Sequence, residues 1–356
     1  MQDKTMIYFI FFAILAAIWF TTSCKSNNSK GNPDVENSNM SDNGFTQKND
    51  TVWFYDVPLK DVDAISFEII DDYFFKDKHQ IYFYETYRVS EDYFTSKRKR
   101  VVTLENVDPI SFQSLGEGYA KDKSTAWYLN EAFQVADLGS LTILNHHFLK
   151  DIKTAYVNRT PVVGSDGKTF ELISDHYAKD AYKYYYCTPY DGKYEIKPIT
   201  CHYTSFVIID HQFAKDNTQV YYSGNKIKEA DAPSFKMISF GYSKDKQNVY
   251  FQNKLIAGAD PITFTPFEEN ENSLGETVYA KDKSSVYIND KRFAAADVTT
   301  FRILNEKYTV DKNGVYFRLK KVLNADAATF RVFPHFVGDA DAEDKNHRFG
   351  EGKLVE

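Results

Sequence analysis

An all-β chain of tandem repeats is predicted by three features of the sequence. Short aromatic runs are bounded by turn formers, an aspartate returns with aromatic residues at fixed distances, and a second aspartate anchor alternates with the first. The 356 residues are 16% aromatic, with 26 Tyr and 29 Phe, and Leu is scarce beside them. Rings and β-branched side chains fit a pleated surface better than a helix, and no stretch keeps a helical period.

The first anchor aligns Asp77, Asp122, Asp151, Asp180, Asp216, Asp245, Asp282 and Asp311. Three residues before each stands an aromatic: Phe74, Tyr119, Phe148, Tyr177, Phe213, Tyr242, Tyr279 and Tyr308. Five residues after stands another: Tyr82, Trp127, Tyr156, Tyr185, Tyr221, Tyr250, Tyr287 and Tyr316. Sixteen aromatic positions out of sixteen are not a chance outcome in a chain that is 16% aromatic. Lys precedes the aspartate in seven of the eight copies, Val310 being the exception.

The second anchor is D-x-x-[ST]-F, as in Asp63 to Phe67, Asp108 to Phe112, Asp166 to Phe170, Asp231 to Phe235, Asp260 to Phe264, Asp297 to Phe301 and Asp326 to Phe330. Asp137 to Leu141 and His202 to Phe206 are degenerate copies. Ten residues separate its Phe from the next first-anchor aspartate in seven of eight units, and fifteen lead on to the next second anchor in six of eight. With four residues inside the second anchor, the period is 29.

Each unit reads as β structure. Thr300–Leu304 and Val249–Gln252 are short and aromatic. The K-D-K segment reads as a tight turn in which Asp accepts from backbone amides two or three residues on. Ser223-Gly224-Asn225 and Gln252-Asn253 read as hairpin connections. The fold expected is therefore an elongated, solenoid-like array of about eight β-hairpin repeats with two to four strands each. A closed β-propeller is the alternative, although its usual blades of ~40–50 residues are longer than this repeat.

Three insertions interrupt the period: sixteen residues around 86–100, ending in the basic run Lys97–Arg100; seven around 188–198; and eight between Phe264 and Asp282, including Glu268, Glu269, Glu271 and Glu276. The array opens with a half-unit at Val52-Trp53 and closes with a worn copy, Glu343 to Asn346 and then Phe349, as stacked repeats need at their ends.

The N-terminal segment reads as an export signal, with an uncleaved membrane anchor as the alternative. Residues 6–20 form an uncharged apolar run preceded by Lys4, the length of a signal-peptide core and shorter than the ~20 residues of a spanning helix. Ser23-Cys24 follows and resembles a lipoprotein cleavage box. The organisation expected is a signal peptide at 1–23, a lipidated Cys24 with a disordered Asn/Ser-rich tether over 24–50, the array over 51–350, and a tail at 351–356. The export reading allows a disulfide between Cys187 and Cys201.

At Lys244 to Phe251 and Ala259 to Phe264 the chain resembles the DKNYY repeat family of bacterial envelope proteins, and the likeness extends over nearly all of 51–350. The resemblance implies an exported, often lipid-anchored protein of the bacterial cell envelope and brings no catalytic residues to carry over.

The net charge of −7 argues against nucleic-acid binding. No nucleophile elbow, phosphate-binding loop, dinucleotide fingerprint or zinc-protease helix appears, so no cofactor is expected. The recurrent aspartates are expected to close their own turns rather than to hold calcium, which the neighbouring lysines oppose. His146, His147, His176 and His211 fall at similar places in three consecutive units, but without compact ligand spacing they read as surface residues rather than a metal site. The function expected is a non-catalytic binding or scaffolding lipoprotein, with the membrane as partner through its anchor and an envelope polysaccharide or protein as ligand. The alternative is a carbohydrate-active enzyme whose acids are dispersed among the repeats, and the acidic insertion at Glu268 is where its chemistry would be sought first.

Overall fold

The structure is a computed structural model that describes residues 43–88, 98–190, 193–268 and 277–355. Residues 6–20, Cys24, Lys97, Glu269, Glu271 and Glu276 lie outside the described residues. The chain divides into two compact units, 1–65 and 66–356.

The first unit carries a three-stranded antiparallel sheet, Phe45–Lys48, Thr51–Phe54 and Val57–Leu59. Its first strand corrects the expected tether, which was drawn through residue 50. Phe45 is buried and its ring lies 4.8 Å from that of Phe54, so the folded part begins by Phe45. One aromatic residue beside a long polar stretch is too little for composition to signal a strand, whereas the pairing of Phe45 with Phe54 supplies the apolar contact that holds it.

The second unit is a series of nine antiparallel sheets, each of four strands in chain order, and among the described residues it has no α-helix. Each sheet is one repeat. In the repeat around Asp245 the strands are Lys236–Met237, Tyr242–Lys244, Val249–Phe251 and Lys254–Leu255. Tyr242 pairs with Phe251 across the central ladder and Tyr250 with Leu255 across the next. Turn residues cut the strands short. Asp245 N–H donates to the Asn248 carbonyl at 3.0 Å between the second and third strands, and Gln252, with φ at 54°, turns the chain between the third and fourth. The linker Ala259 to Phe264 then carries it to the next sheet at Thr265–Pro266.

Val249 and Tyr250 are fully buried, so the third strand is covered on both faces. The core lies between consecutive sheets. Phe264, at the end of the linker, stands 5.1 Å from the ring of Tyr242 in its own repeat and 5.5 Å from Tyr287 in the next. The same three-ring junction recurs with Phe235 between Phe213 and Tyr250, and with Phe112 between Phe74 and Trp127. This explains the two fixed aromatic spacings: the ring at −3 faces the following repeat, and the ring at +5 faces the preceding one. In the sheet of residues 331–354 the −3 position holds Asp341, whose carboxylate accepts the Tyr308 hydroxyl at 2.7 Å, while the junction keeps its three rings, with Phe330 5.3 Å from Tyr308 and 5.4 Å from Phe349.

Tyr250→Ala removes one wall of such a junction and is expected to destabilise the protein by about 3–5 kcal/mol. Thermal melting followed by circular dichroism checks this, and an unchanged melting temperature would remove Tyr250 from the core.

Candidate functional site

In a four-stranded meander, the turns between strands one and two and between strands three and four lie at one edge. The turn between strands two and three lies at the other, together with the linker to the next sheet. The recurrent aspartates are at this second edge, and all three insertions are at the first. The insertions around 86–100 and 188–198 join third to fourth strands, and the one after Phe267 joins a first strand to a second.

The aspartate edge is occupied by its own bonding. Asp245 Oδ1 accepts the backbone N–H groups of Gln247 and Asn248, both at 2.7 Å. Oδ2 accepts the Tyr250 hydroxyl at 2.8 Å and the N–H of Asp231, fourteen residues upstream, at 3.0 Å. The upstream contact recurs at Asp122, Asp151, Asp180, Asp216, Asp282 and Asp311. Asp77 likewise accepts the N–H groups of His79 and Gln80. Burial pushes the Asp245 carboxyl up, but the backbone donors and the Tyr250 hydroxyl outweigh it and hold the group below the usual carboxylate range. The hydroxyl of the second anchor adds a further tie, since Ser234 Oγ accepts the N–H of Lys246 at 3.0 Å. That lysine pairs with Asp231 at 3.1 Å, while Lys244, before the aspartate, donates to the Pro261 carbonyl at 2.7 Å. Both lysines of the K-D-K segment therefore brace the backbone around the carboxylate.

The insertion edge carries His146, His147, His176 and His211, in two pairs. His146 and His147 have ring centroids 4.9 Å apart; His146 Nε2 lies 3.1 Å from the Tyr128 hydroxyl and His147 Nδ1 3.2 Å from Asn158 Oδ1. His176 and His211 are 5.8 Å apart, with His176 Nδ1 3.3 Å from the Cys187 carbonyl. Among the described residues no group of three or more His, Cys, Asp or Glu side chains is arranged to hold a metal ion.

The seven-residue insertion lengthens its third and fourth strands to Tyr184–Tyr190 and Lys193–Ile199. The hairpin is held on both sides. Towards the preceding repeat, Asn158 Nδ2 donates to the Tyr194 carbonyl at 2.7 Å, and the Tyr194 ring lies 4.9 Å from His147 and 5.3 Å from Phe148. Towards the following repeat, Lys197 Nζ donates to Asn225 Oδ1 at 3.0 Å. Gly224, with φ at +70°, lets the next hairpin tip approach closely, because a Cβ there would meet Tyr186 Cβ at 2.6 Å. Between the insertion and the preceding repeat lies an open recess of about 180 Å³, lined by Asn145, Phe148, Leu172, Ile173, Ser174, Asp175 and Tyr194.

The disulfide that the sequence allows between Cys187 and Cys201 is not formed, and both thiols are free. Cys187 pairs with Ile196 in the inserted hairpin, whereas Cys201 lies beyond the end of that ladder, past Ile199, the partner of Tyr184, and so at least three residues from Cys187 along the strand. At ~3.3 Å per residue this is roughly 10 Å or more, beyond disulfide reach. Burial pushes the Cys187 thiol up to about 12.

Sequence reasoning missed the recess, since its walls come from two repeats and a hairpin; the insertion after Asp180 was the only signal in the chain that pointed there. It also missed the upstream hydrogen bond of each aspartate, although the fourteen residues from the second-anchor position to the next first-anchor aspartate, kept in seven of eight units, reflect it.

A stack of small antiparallel sheets, tied by one buried carboxylate per repeat, defines a tandem β-repeat protein. The DKNYY family model matches residues 1–131, 45–189, 128–254 and 213–353, and the chain belongs to the DKNYY family. Four overlapping matches along one chain are what tandem repetition produces. Comparison with curated proteins and with solved structures gave no match.

The two kinds of titrating group predict a two-sided pH profile. Asp122, Asp151, Asp180, Asp216, Asp245 and Asp282 are all held below their ordinary value near 3.8, so the stability they contribute is present above about pH 4 and is lost as pH falls through the lowered values. Burial pushes Tyr156, Tyr279, Tyr287 and Tyr316 up to about 12, so their contribution is present below about pH 10 and is lost as pH rises towards 12. Melting temperature should therefore be level from about pH 5 to 9 and fall on both sides. A protein that grows more stable below pH 4 would contradict the aspartate bonding.

Proposed function

We propose that this protein is a non-catalytic binding or scaffolding lipoprotein of the bacterial cell envelope, which engages its ligand along the insertion edge of the array. The observation that carries this reading is the division between the two edges. The repeated carboxylates, which would be the natural source of acid–base or cation chemistry, are occupied by turn and linker donors, joined in most repeats by a tyrosyl hydroxyl, as at Asp245. The opposite edge bears the insertions, both histidine pairs and the recess, and loops raised on a rigid scaffold are where binding residues concentrate. The apolar run of 6–20 and the following Cys24 support export and lipid anchoring.

Incubating the full chain with a panel of envelope polysaccharides and wall polymers tests the binding role. The expected result is retention of a polymer without release of shortened products, and turnover would overturn the reading. For the anchor, Cys24→Ala is expected to abolish incorporation of labelled fatty acid. Persistent labelling of that variant would contradict the assignment of Cys24.

A further inference from the structure

The recess between the Asp151 and Asp180 repeats is walled by an inserted hairpin, and several of its polar groups are left unused. Asn145 Oδ1 accepts the N–H groups of His147 and Phe148, both at 2.9 Å, which fixes the amide and leaves its Nδ2 without a partner among the described residues. Ser174 Oγ accepts the His176 N–H at 3.3 Å and keeps its own proton to donate. Asp175 is exposed, and among the described residues its carboxylate has no hydrogen bond or ion pair. Tyr194 is held through its backbone by Asn158 and through its ring by His147 and Phe148. Phe148, Leu172 and Ile173 supply an apolar lining beneath these groups.

On the reading of the insertion edge as a binding face, we infer that this recess is a subsite for a single neutral or N-acetylated pyranose ring of a polysaccharide. Its volume of about 180 Å³ suits one sugar ring and falls below the ~300–1,000 Å³ of sites for larger ligands. A pyranose offers C–H faces to an aromatic and aliphatic lining, and hydroxyls at its rim to an amide donor, a hydroxyl and a carboxylate acceptor. The lone carboxylate of Asp175, on a chain of net charge −7, disfavours phosphate-bearing and uronate polymers. The repeats around Asp245 and Asp311 have fourth strands of two residues and so no counterpart of Tyr194.

The test titrates the full chain with cello-, chito- and malto-oligosaccharides and with oligogalacturonate, followed by saturation-transfer NMR and calorimetry. One of the three uncharged oligosaccharides is expected to bind. Asp175→Ala, at an exposed unpartnered side chain, should weaken it by about fivefold or more with unchanged melting, as loss of a hydrogen bond to a charged group predicts. Tyr194→Ala should abolish it, and Glu306→Ala, at the same edge of another repeat, should leave it unchanged. Wild-type affinity in Asp175→Ala, preference for oligogalacturonate, or no binding of any uncharged oligosaccharide would each overturn the subsite. If a polymer on the wider panel were still retained without turnover, the binding role of the edge would stand while the recess lost its assignment.

Discussion

Taking an ionised carboxylate out of water costs several kcal/mol unless other donors replace its hydration, and this chain does so once in every repeat. Around Asp245 the replacement consists of two local N–H groups, one tyrosyl hydroxyl and the N–H of Asp231 in the linker before the sheet. The first two close a turn, the third fixes the ring that faces the preceding repeat, and the fourth ties the linker to the sheet that follows it. Local turn, core ring and inter-repeat connection are thus set by one side chain. The three-ring junctions then fill the space between consecutive sheets.

Concentrating this bonding at one edge frees the other. Changing the length of a turn beside Asp245 would break the register on which its four donors depend, whereas a loop between first and second or between third and fourth strands can grow without touching them. All three insertions follow that rule. The inserted hairpin at 184–199 shows how such growth can create a site, by leaning on Asn158 behind it and Asn225 ahead of it and enclosing a recess on the way. His146, His147, His176 and His211 fall at this edge for the same reason, since turn positions not committed to the core tolerate polar rings.

Much of this was legible in the chain. The aspartate turns could be read because their partners lie two and three residues away, and the aromatic spacings because every junction uses the same rings. The fourth donor to Asp245 was hidden, being a backbone N–H and therefore carrying no residue signature. The placement of the insertions at one edge required the strand count, four per repeat, which two-residue strands such as Lys236–Met237 do not announce. The cysteine pairing failed because a fourteen-residue separation says nothing about register, and only the extended hairpin shows Cys201 falling beyond reach of Cys187. The strand at Phe45–Lys48 was concealed by polar neighbours.

The central claim is that the buried aspartate ties the linker upstream to its own sheet, and amide hydrogen exchange in Asp245→Ala tests it at the bond itself. The Asp231 N–H, which loses its acceptor, should exchange about tenfold faster or more than in the wild type, while the Asp297 N–H, bound to Asp311, keeps its protection. Equal protection of Asp231 in both proteins would show that the linker is held by other contacts and that the carboxylate serves only its own turn.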